Sequence, residues 1–287
     1  MTQPDERAGR RCHNVINPLH STVYFSPDTA AALADLGVTD DRAVYFATRA
    51  AAFGAVGPGT VAATFYTFSY DLIARHLPAV WETVTPRQVL DARLRAADAT
   101  LRRLLGEEAV ASKEMAEAAE LALRATEACE RGARPLYAAH ADLPVPEQPH
   151  LALWHAATLL REHRGDGHLM VLTAAGLTGL DAQASHTASG RGMSPEWVMR
   201  TRGYTGEQWE AARQRLRDRG LLDADGGLSD AGLELRRGIE AETDRLDQAP
   251  YAHLGPEGVA RLTELGTAFT TAALEAGAFP ADLFGKS

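Results

Sequence analysis

Histidine is the residue type with the clearest chemical potential in this chain of 287 residues, which contains ten of them. A neutral imidazole ligates metal ions or haem iron, and its pKa near neutrality suits acid–base catalysis. Four candidates are grouped in one stretch: His155, His163, His168 and His186. A fifth candidate, His20, lies close to aromatic residues near the N-terminus.

The spacing of these histidines leaves their role open. His155 and His163 are eight positions apart, which is about 80° around a helix, so both can face one cavity. No HExxH, CxxC or carboxylate-rich pattern accompanies them, so the sequence predicts no metal site. It also identifies no catalytic residue and no cofactor. Structural roles as helix caps, buried hydrogen-bonded rings or surface residues compete with the functional interpretation.

The functional interpretation is a small-molecule pocket between the two halves of the chain. Imidazole, phenol, aromatic and guanidinium groups together suit an aromatic or polycyclic metabolite. The candidate pocket residues are His20, Tyr24, Phe25, Arg49, Tyr66, His163, His168 and His186. Asp166 is instead predicted to cap a helix that begins at His168, after a sharp turn at residues 164–167.

Residues 193–246 contain the pattern that best predicts a structural unit. Ser194, followed by proline, is predicted to cap a short helix that Gly203 ends. Thr205 is predicted to cap a second helix over about residues 206–219, with one buried face. A two-stranded wing and a long helix should follow: strands at Leu221–Leu222 and Leu228, a turn at Asp225–Gly227, and a helix from Ser229 to about Leu246.

Part of this unit resembles the same region of MarR-like regulators. The phrases that carry the resemblance are Leu216-x-x-Arg219-Gly220-Leu221-Leu222 and Leu228-Ser229-Asp230-Ala231-Gly232. The resemblance implies that the second helix enters the major groove of duplex DNA while the wing contacts phosphates. On this interpretation the DNA-binding candidates are Arg200, Arg202, Thr205, Gln208, Arg213, Gln214 and Arg217.

The charge of the unit argues against DNA binding. Nine arginines oppose eleven acidic residues between Pro195 and Leu246, and the predicted wing carries no lysine or arginine. Release of counterions from phosphates supplies most non-specific affinity for DNA, so a basic footprint is expected. Glu207 and Glu210 also lie where base-reading residues are expected. The alternative is a solvated helix surface with intrahelical ion pairs.

A wider resemblance covers most of the chain. Its phrases include Tyr24-Phe25-Ser26-Pro27, Gly54-Ala55-Val56-Gly57 and Arg161-Glu162-His163-Arg164-x-Asp166-Gly167-His168. These are similar to an actinobacterial family of helix-turn-helix proteins. The resemblance implies a two-part architecture and either a bacterial regulator or a small-molecule role, and it carries over no catalytic residues.

Helical periodicity dominates the chain and predicts a mainly α fold. We expect an N-terminal helical domain over residues 1–140 and a C-terminal winged helix-turn-helix domain with a small two-stranded wing over residues 150–287. Three closely spaced prolines predict a linker at residues 141–149. Thr85 is predicted to cap a long amphipathic helix to Leu105, and a second long helix should follow over about residues 107–131.

The composition limits the location and partners of the protein. The formal net charge is −9 and the isoelectric point is near 5.6, which repels nucleic acid on average. No apolar run is long enough to span a membrane, and the N-terminus lacks a signal core. Cys12 and Cys129 are far apart and are interpreted as reduced thiols. The sequence therefore predicts a cytoplasmic protein without a membrane partner.

Two functions remain open on the sequence alone. One is a small-molecule-responsive transcriptional regulator that binds duplex DNA as a homodimer on palindromic half-sites. The other is a winged-helix scaffold that has lost DNA binding and instead binds or transforms a small aromatic or polycyclic metabolite in the His/Tyr/Arg-lined pocket between the two halves. Fold does not decide between them.

Overall fold

The computed structural model describes residues 7–280 and confirms a mainly α fold. Short 3₁₀ turns lie at Thr22–Tyr24 and Ala51–Phe53. The helices are α1 (Ala8–Ser21), α2 (Pro27–Ala34), α3 (Asp41–Ala50), α4 (Pro58–Phe65), α5 (Tyr70–Ala74), α6 (Val80–Thr83), α7 (Pro86–Leu105), α8 (Glu107–Val110), α9 (Lys113–Thr126), α10 (Pro135–Ala141), α11 (Pro149–Ala174), α12 (Gly179–Ala188), α13 (Pro195–Arg202), α14 (Gly206–Asp218), α15 (Asp230–Leu246) and α16 (Gln248–Glu275).

The prediction of a two-stranded wing is wrong, because no strand occurs among residues 7–280. Between α14 and α15 the chain makes one antiparallel bridge, Leu222 to Leu228. Gly220, with a φ of 68°, follows the end of α14, and the Ser229 hydroxyl accepts the Gly232 N–H at the start of α15. The Asp223 N–H donates to the Gly227 carbonyl, so a tight turn next to the single bridge replaces the wing.

The described chain divides into two compact units, each built from separated segments. The first unit contains residues 7–55, 79–167 and 244–280, and the second contains residues 56–78 and 168–243. Residues 141–149, predicted as an interdomain linker, lie within the first unit together with the segments on either side of them.

The core of the first unit is formed by α1, α9, α11 and α16. Small residues allow the helices to approach closely, since a Cβ added at Gly266 on α16 would lie 2.9 Å from Ile16 Cγ2 on α1. On α9, Ala119, Ala122 and Ala125 are buried in this core, as their spacing favours. The long helix predicted over residues 107–131 is instead divided, because Ser112 starts α9 by accepting the Met115 N–H.

Helix α11 is continuous, so the turn predicted at residues 164–167 is wrong. Gly167 instead allows the Arg134 side chain to approach α11 closely, since an added Cβ would lie 2.7 Å from Arg134 Nη1. Asp166 does cap a helix, but not one at His168: its Oδ2 accepts the backbone N–H groups of Leu136 and Tyr137 at the start of α10. Burial raises the pKa of Asp166 to about 6.

The second unit is held together by hydrogen bonds to backbone carbonyls and by an ion pair between two side chains. The Ser69 N–H donates to the Arg202 carbonyl over 2.8 Å, and the Tyr66 hydroxyl donates to the Leu177 carbonyl. Between α12 and α14, the Arg215 guanidinium donates twice to Asp181 Oδ1.

Among the helices of residues 7–280, none has the length and apolar character needed to cross a bilayer.

Candidate functional site

A set of buried polar side chains lies inside the first unit. Five members are at most 7% exposed, and Tyr24 is half-buried with an enclosed hydroxyl. Because each member acts electrostatically on others of the set, we treat it as one site and call it the buried polar cluster. Its members are His20, Tyr24, Arg49, Arg93, His140 and Glu162.

Glu162, on α11, is the carboxylate of the buried polar cluster. Its Oε2 accepts from Arg161 Nη1 and lies 3.5 Å from Arg49 Nη2. Burial alone would raise the pKa of Glu162, but the charges of Arg161 and Arg49 outweigh burial and hold it well below its usual range. Glu162 Oε1 has no hydrogen-bond partner among the described residues. The group is therefore an anion with one free acceptor oxygen.

Arg93, on α7, is the largest side chain with almost no exposure, at 2%. Its Cζ lies 4.7 Å from the centroid of the Trp154 ring, which is a cation–π contact. Arg93 Nε and Nη2 are buried and have no partner in the part of the chain that the structure describes. A guanidinium with two unmade hydrogen bonds inside a protein is costly, and Arg93 is therefore the strongest candidate for contacting a ligand.

The environment of His20 fixes its tautomer. The Thr158 hydroxyl donates to the Trp154 carbonyl, so it accepts from His20 Nδ1 over 2.8 Å. Burial holds the pKa of His20 well below its usual value, so the ring is neutral and Nε2 carries a lone pair. That Nε2 has no donor partner within residues 7–280. His20 therefore presents a buried acceptor.

The other buried histidines are also neutral. Burial lowers the pKa of His140 to about 3, with the charge of Arg93 acting in the same direction. Burial and Arg93 likewise lower the pKa of His155 to about 4. Because these rings carry no charge, the cationic groups of the cluster are Arg49 and Arg93, with Arg161 at its edge, against the single charge of Glu162.

Three of the predicted pocket residues in the first unit are members of the buried polar cluster, and Phe25 is not. His20, Tyr24 and Arg49 come together: the rings of His20 and Tyr24 are 5.4 Å apart, and Tyr45 connects Tyr24 to Arg49. Phe25 is 39% exposed and packs on Phe279.

His163 has a structural environment in the same unit. Its Nδ1 lies 2.9 Å from Asp247 Oδ1, and its ring packs edge-on against Tyr137. The His163 carbonyl accepts from Arg134. These contacts connect α11 to the segment before α16 and place His163 outside the buried polar cluster as defined above.

The remaining predicted pocket residues lie in the second unit. Tyr66 has a positive φ of 45° and accepts at its hydroxyl from Thr173 over 3.4 Å. His168 Nδ1 lies 2.9 Å from the Thr243 hydroxyl, and His186 Nδ1 lies 3.3 Å from Arg236 Nη2. Each of the three therefore has a local partner.

The second candidate site is the pair α13 and α14, joined by three residues. Ser194 accepts the Trp197 N–H at the start of α13, and Gly203, with a φ of 77°, ends it. Thr205 then starts α14 with a capping box to Gln208. The buried face of α14 is Trp209, Ala212 and Leu216, which leaves the opposite face in solvent. This is helix-turn-helix geometry.

The comparison with known families agrees with this geometry. A sequence model described as "Helix-turn-helix family" matches residues 9–280. The chain belongs to this family. No curated protein and no solved structure matches it. The family match spans residues of both units, so it covers the buried polar cluster as well as α13 and α14.

The DNA-binding candidates of this helix-turn-helix protein are placed unequally. Thr205, Gln208 and Gln214 are exposed on or beside α14, whereas Arg213 and Arg217 are partly buried on it. Arg213 Nη1 donates to Glu210 Oε1 over 2.9 Å.

On α13 both arginine candidates contact aromatic rings. Arg200 is exposed and its Cζ lies 4.7 Å from the ring of Trp197. Arg202 is partly buried over Phe68, at 4.2 Å. Arg200 is therefore the more accessible of the two.

Sequence reasoning missed half of the buried polar cluster, although a signal was present. Arg93 lies four residues after Val89 and four before Ala97, inside the apolar stripe of α7. A charged residue within such a stripe is expected to be buried, and because burial of an unpaired charge is costly, it needs a partner or a ligand. Glu162 on α11 and His140 on α10 gave no comparable signal. Within residues 7–280, no group of three or more His, Cys, Asp or Glu side chains is placed to hold a metal ion.

Proposed function

We propose that this helix-turn-helix protein is a small-molecule-responsive transcriptional regulator, similar to MarR-like proteins, that binds duplex DNA in the cytoplasm as a homodimer. The observation that carries the proposal is the three-residue turn between α13 and α14. It leaves the N-terminal turn of α14 exposed at Glu207 and Gln208. An exposed helix of this kind is the element that enters the major groove in helix-turn-helix proteins.

Arg213 and Arg217 are the phosphate contacts in this proposal. The Arg213–Glu210 pair is of the i,i+3 type, and the Glu210 side chain is 58% exposed. Such a surface pair contributes little, so a phosphate can replace the carboxylate at small cost. Arg217 makes a long hydrogen bond of 3.4 Å to Gln214. Thr205, Gln208, Gln214, Arg200 and Arg202 complete the proposed DNA surface.

Removing both phosphate contacts should weaken DNA binding and reduce its dependence on salt. For the Arg213→Ala/Arg217→Ala variant we expect the slope of log K against log salt concentration to fall by about 0.9 per lost contact and protomer. Fluorescence anisotropy of a labelled duplex, repeated over a range of salt concentrations, measures the slope. The matched control is Arg237→Ala on α15, whose side chain is 72% exposed and pairs with Glu234. Equal slopes for the double variant and the wild type would exclude both arginines from the interface.

A second candidate function is supported by the charges around α14 and by the buried polar cluster. Arg215 is bound to Asp181, and Arg219 donates to the carbonyls of Gly176 and Ala175, so both are engaged within the protein. A scaffold without DNA binding, which binds or transforms a metabolite in the first unit, would need only the buried polar cluster. Binding of a small molecule together with no DNA affinity at low salt is the result that favours it.

A further inference from the structure

The unpartnered atoms of the buried polar cluster define a ligand chemistry. We propose that the cluster binds a small carboxylate that also carries a hydroxyl or ammonium group, with the carboxylate on the Nε–Nη2 edge of Arg93. This inference rests on the ligand-binding part of the proposed function and specifies its ligand. It is independent of DNA, because every residue it uses lies in the first unit.

The Nε–Nη2 edge of Arg93 has the geometry that binds the carboxylate of the ligand. Nε–H and one N–H of Nη2 point in parallel from the same side of the planar guanidinium, which matches the two oxygens of a carboxylate. Both nitrogens are buried, and neither has an acceptor among residues 7–280. The contact with Trp154 places Cζ over the indole ring and leaves the hydrogen-bonding capacity of Nε and Nη2 unused.

The charge of the cluster also favours an anion. Arg49 and Arg93 are both buried, and Glu162 is the carboxylate that lies against Arg49, with Arg161 bound to the same oxygen. The neighbouring His20 and His140 are neutral, because burial lowers their pKa. An excess positive charge in a protein interior is stabilised by a negative partner. A ligand carboxylate supplies that charge.

Two buried acceptor atoms are the reason for including a hydroxyl or ammonium group in the ligand. Glu162 Oε1 and His20 Nε2 are acceptors without a donor in the described part of the chain. The Tyr24 hydroxyl is also unpartnered there and can donate or accept. A ligand that carried only a carboxylate would leave both acceptors without a donor. The hydroxyl of a hydroxy acid supplies a donor to one of them, and the ammonium of an amino acid supplies donors to both.

Two side chains at the edge of the cluster are partly exposed to solvent. Tyr24 is half-buried, and the Arg161 side chain is 31% exposed although its guanidinium contacts the buried Glu162. These two side chains therefore lie between the interior of the cluster and the surface of the first unit.

The test is an NMR titration of the wild-type protein, observing the arginine Nε–H signals. The probe is lactate, which carries a carboxylate and a hydroxyl, and the comparison ligands are lactamide, which lacks the charge, and propionate, which lacks the hydroxyl. Loss of a signal in Arg93→Lys assigns Arg93, and Arg87→Lys is the matched control, because Arg87 is on the same helix with a side chain 79% exposed. If Arg93→Lys does not fold, the nuclear Overhauser effect to the Trp154 indole assigns the signal.

We expect lactate to shift the Arg93 Nε–H signal in a saturable way, lactamide to leave it unchanged, and propionate to bind more weakly. Arg93→Lys should lower the affinity for lactate roughly tenfold to a hundredfold, the usual value of charge-assisted hydrogen bonds, while Arg87→Lys should not. An unshifted Arg93 signal at the highest soluble concentration of lactate, and also of glycine as the ammonium-bearing probe, would overturn the proposal. Equal shifts with lactamide, or with sodium chloride at the same ionic strength, would also overturn it. The titration contains no DNA, so a failure of DNA binding cannot change its outcome.

Discussion

The free energy of unfolding should fall steeply as the pH is lowered from 7 to 5. Four histidines are neutral in the folded protein because burial lowers their pKa: His13 and His140 to about 3, His155 to about 4, and His20 well below its usual value. In the unfolded chain each histidine has a pKa of about 6.5, so between pH 7 and 5 the unfolded state binds protons that the folded state does not. Stability is therefore present above pH 6.5 and is lost as the pH falls.

Asp166 acts in the opposite direction over the same range. Its pKa in the folded protein is about 6, above that of a free carboxyl, so the folded state holds one proton that unfolding releases. Near pH 5, where the unfolded histidines are fully protonated, uptake at the four histidines and release at Asp166 leave a net uptake of about three protons. The slope of stability against pH therefore approaches about 4 kcal/mol per pH unit at that end of the range. Urea denaturation at a series of pH values measures this slope.

A matched pair of variants assigns the slope to the buried rings. His140→Gln should reduce it by about 1.4 kcal/mol per pH unit, because one proton is removed from the balance. His253→Gln is the control, since this side chain is 43% exposed and pairs with Glu127 at the surface. A free energy of unfolding that stays constant from pH 7 to 5 would show that the four histidines are not buried as neutral rings.

The second large effect is expected for Glu162→Gln. The substitution keeps the shape of the side chain but removes the negative charge that lies against the buried Arg49. Removing one partner of a buried ion pair leaves an uncompensated charge, and we expect the free energy of unfolding at pH 7 to fall by about 3 kcal/mol or more. Urea denaturation measures the loss.

Glu120→Gln is the matched control for this substitution. Glu120 is exposed on α9, and a surface change of this kind is expected to alter stability by less than about 0.5 kcal/mol. Equal stabilities for the two variants would mean that Glu162 is solvated or protonated in the folded protein, and the charge balance of the buried polar cluster would then be wrong.

Local signals in the sequence predicted most helix ends correctly. Thr85 and Thr205 both form the capping boxes that their positions favour, and Gly203 ends α13 in a left-handed conformation. These features depend on a few neighbouring residues, so they can be predicted without knowledge of the fold.

Glycine-rich segments were interpreted less well, because a glycine has more than one physical use. Gly165 and Gly167 predict a turn at residues 164–167, yet Gly167 lies within α11, where Arg134 approaches closely. The predicted wing failed for a different reason: apolar residues on either side of a turn predict strands, but the segment between Gly220 and Ser229 forms only one bridge.

The candidate site was predicted in part. His20, Tyr24 and Arg49 were chosen for their chemistry and do lie together. Arg93 and Glu162 join them through the packing of α7 and α11, which are remote in sequence, and periodicity within one helix cannot show which helices meet. The tertiary arrangement supplies that information.

Binding of a labelled duplex of random sequence tests the proposed regulator most directly. Fluorescence anisotropy is recorded at low salt and again at about 200 mM salt, where release of counterions favours phosphate binding less strongly. With Arg213 and Arg217 of two protomers on phosphates, we predict binding at low salt and a loss of affinity of about a hundredfold between about 50 and 200 mM salt. No binding at low salt would contradict the regulator and would favour a scaffold that binds or transforms a metabolite in the first unit.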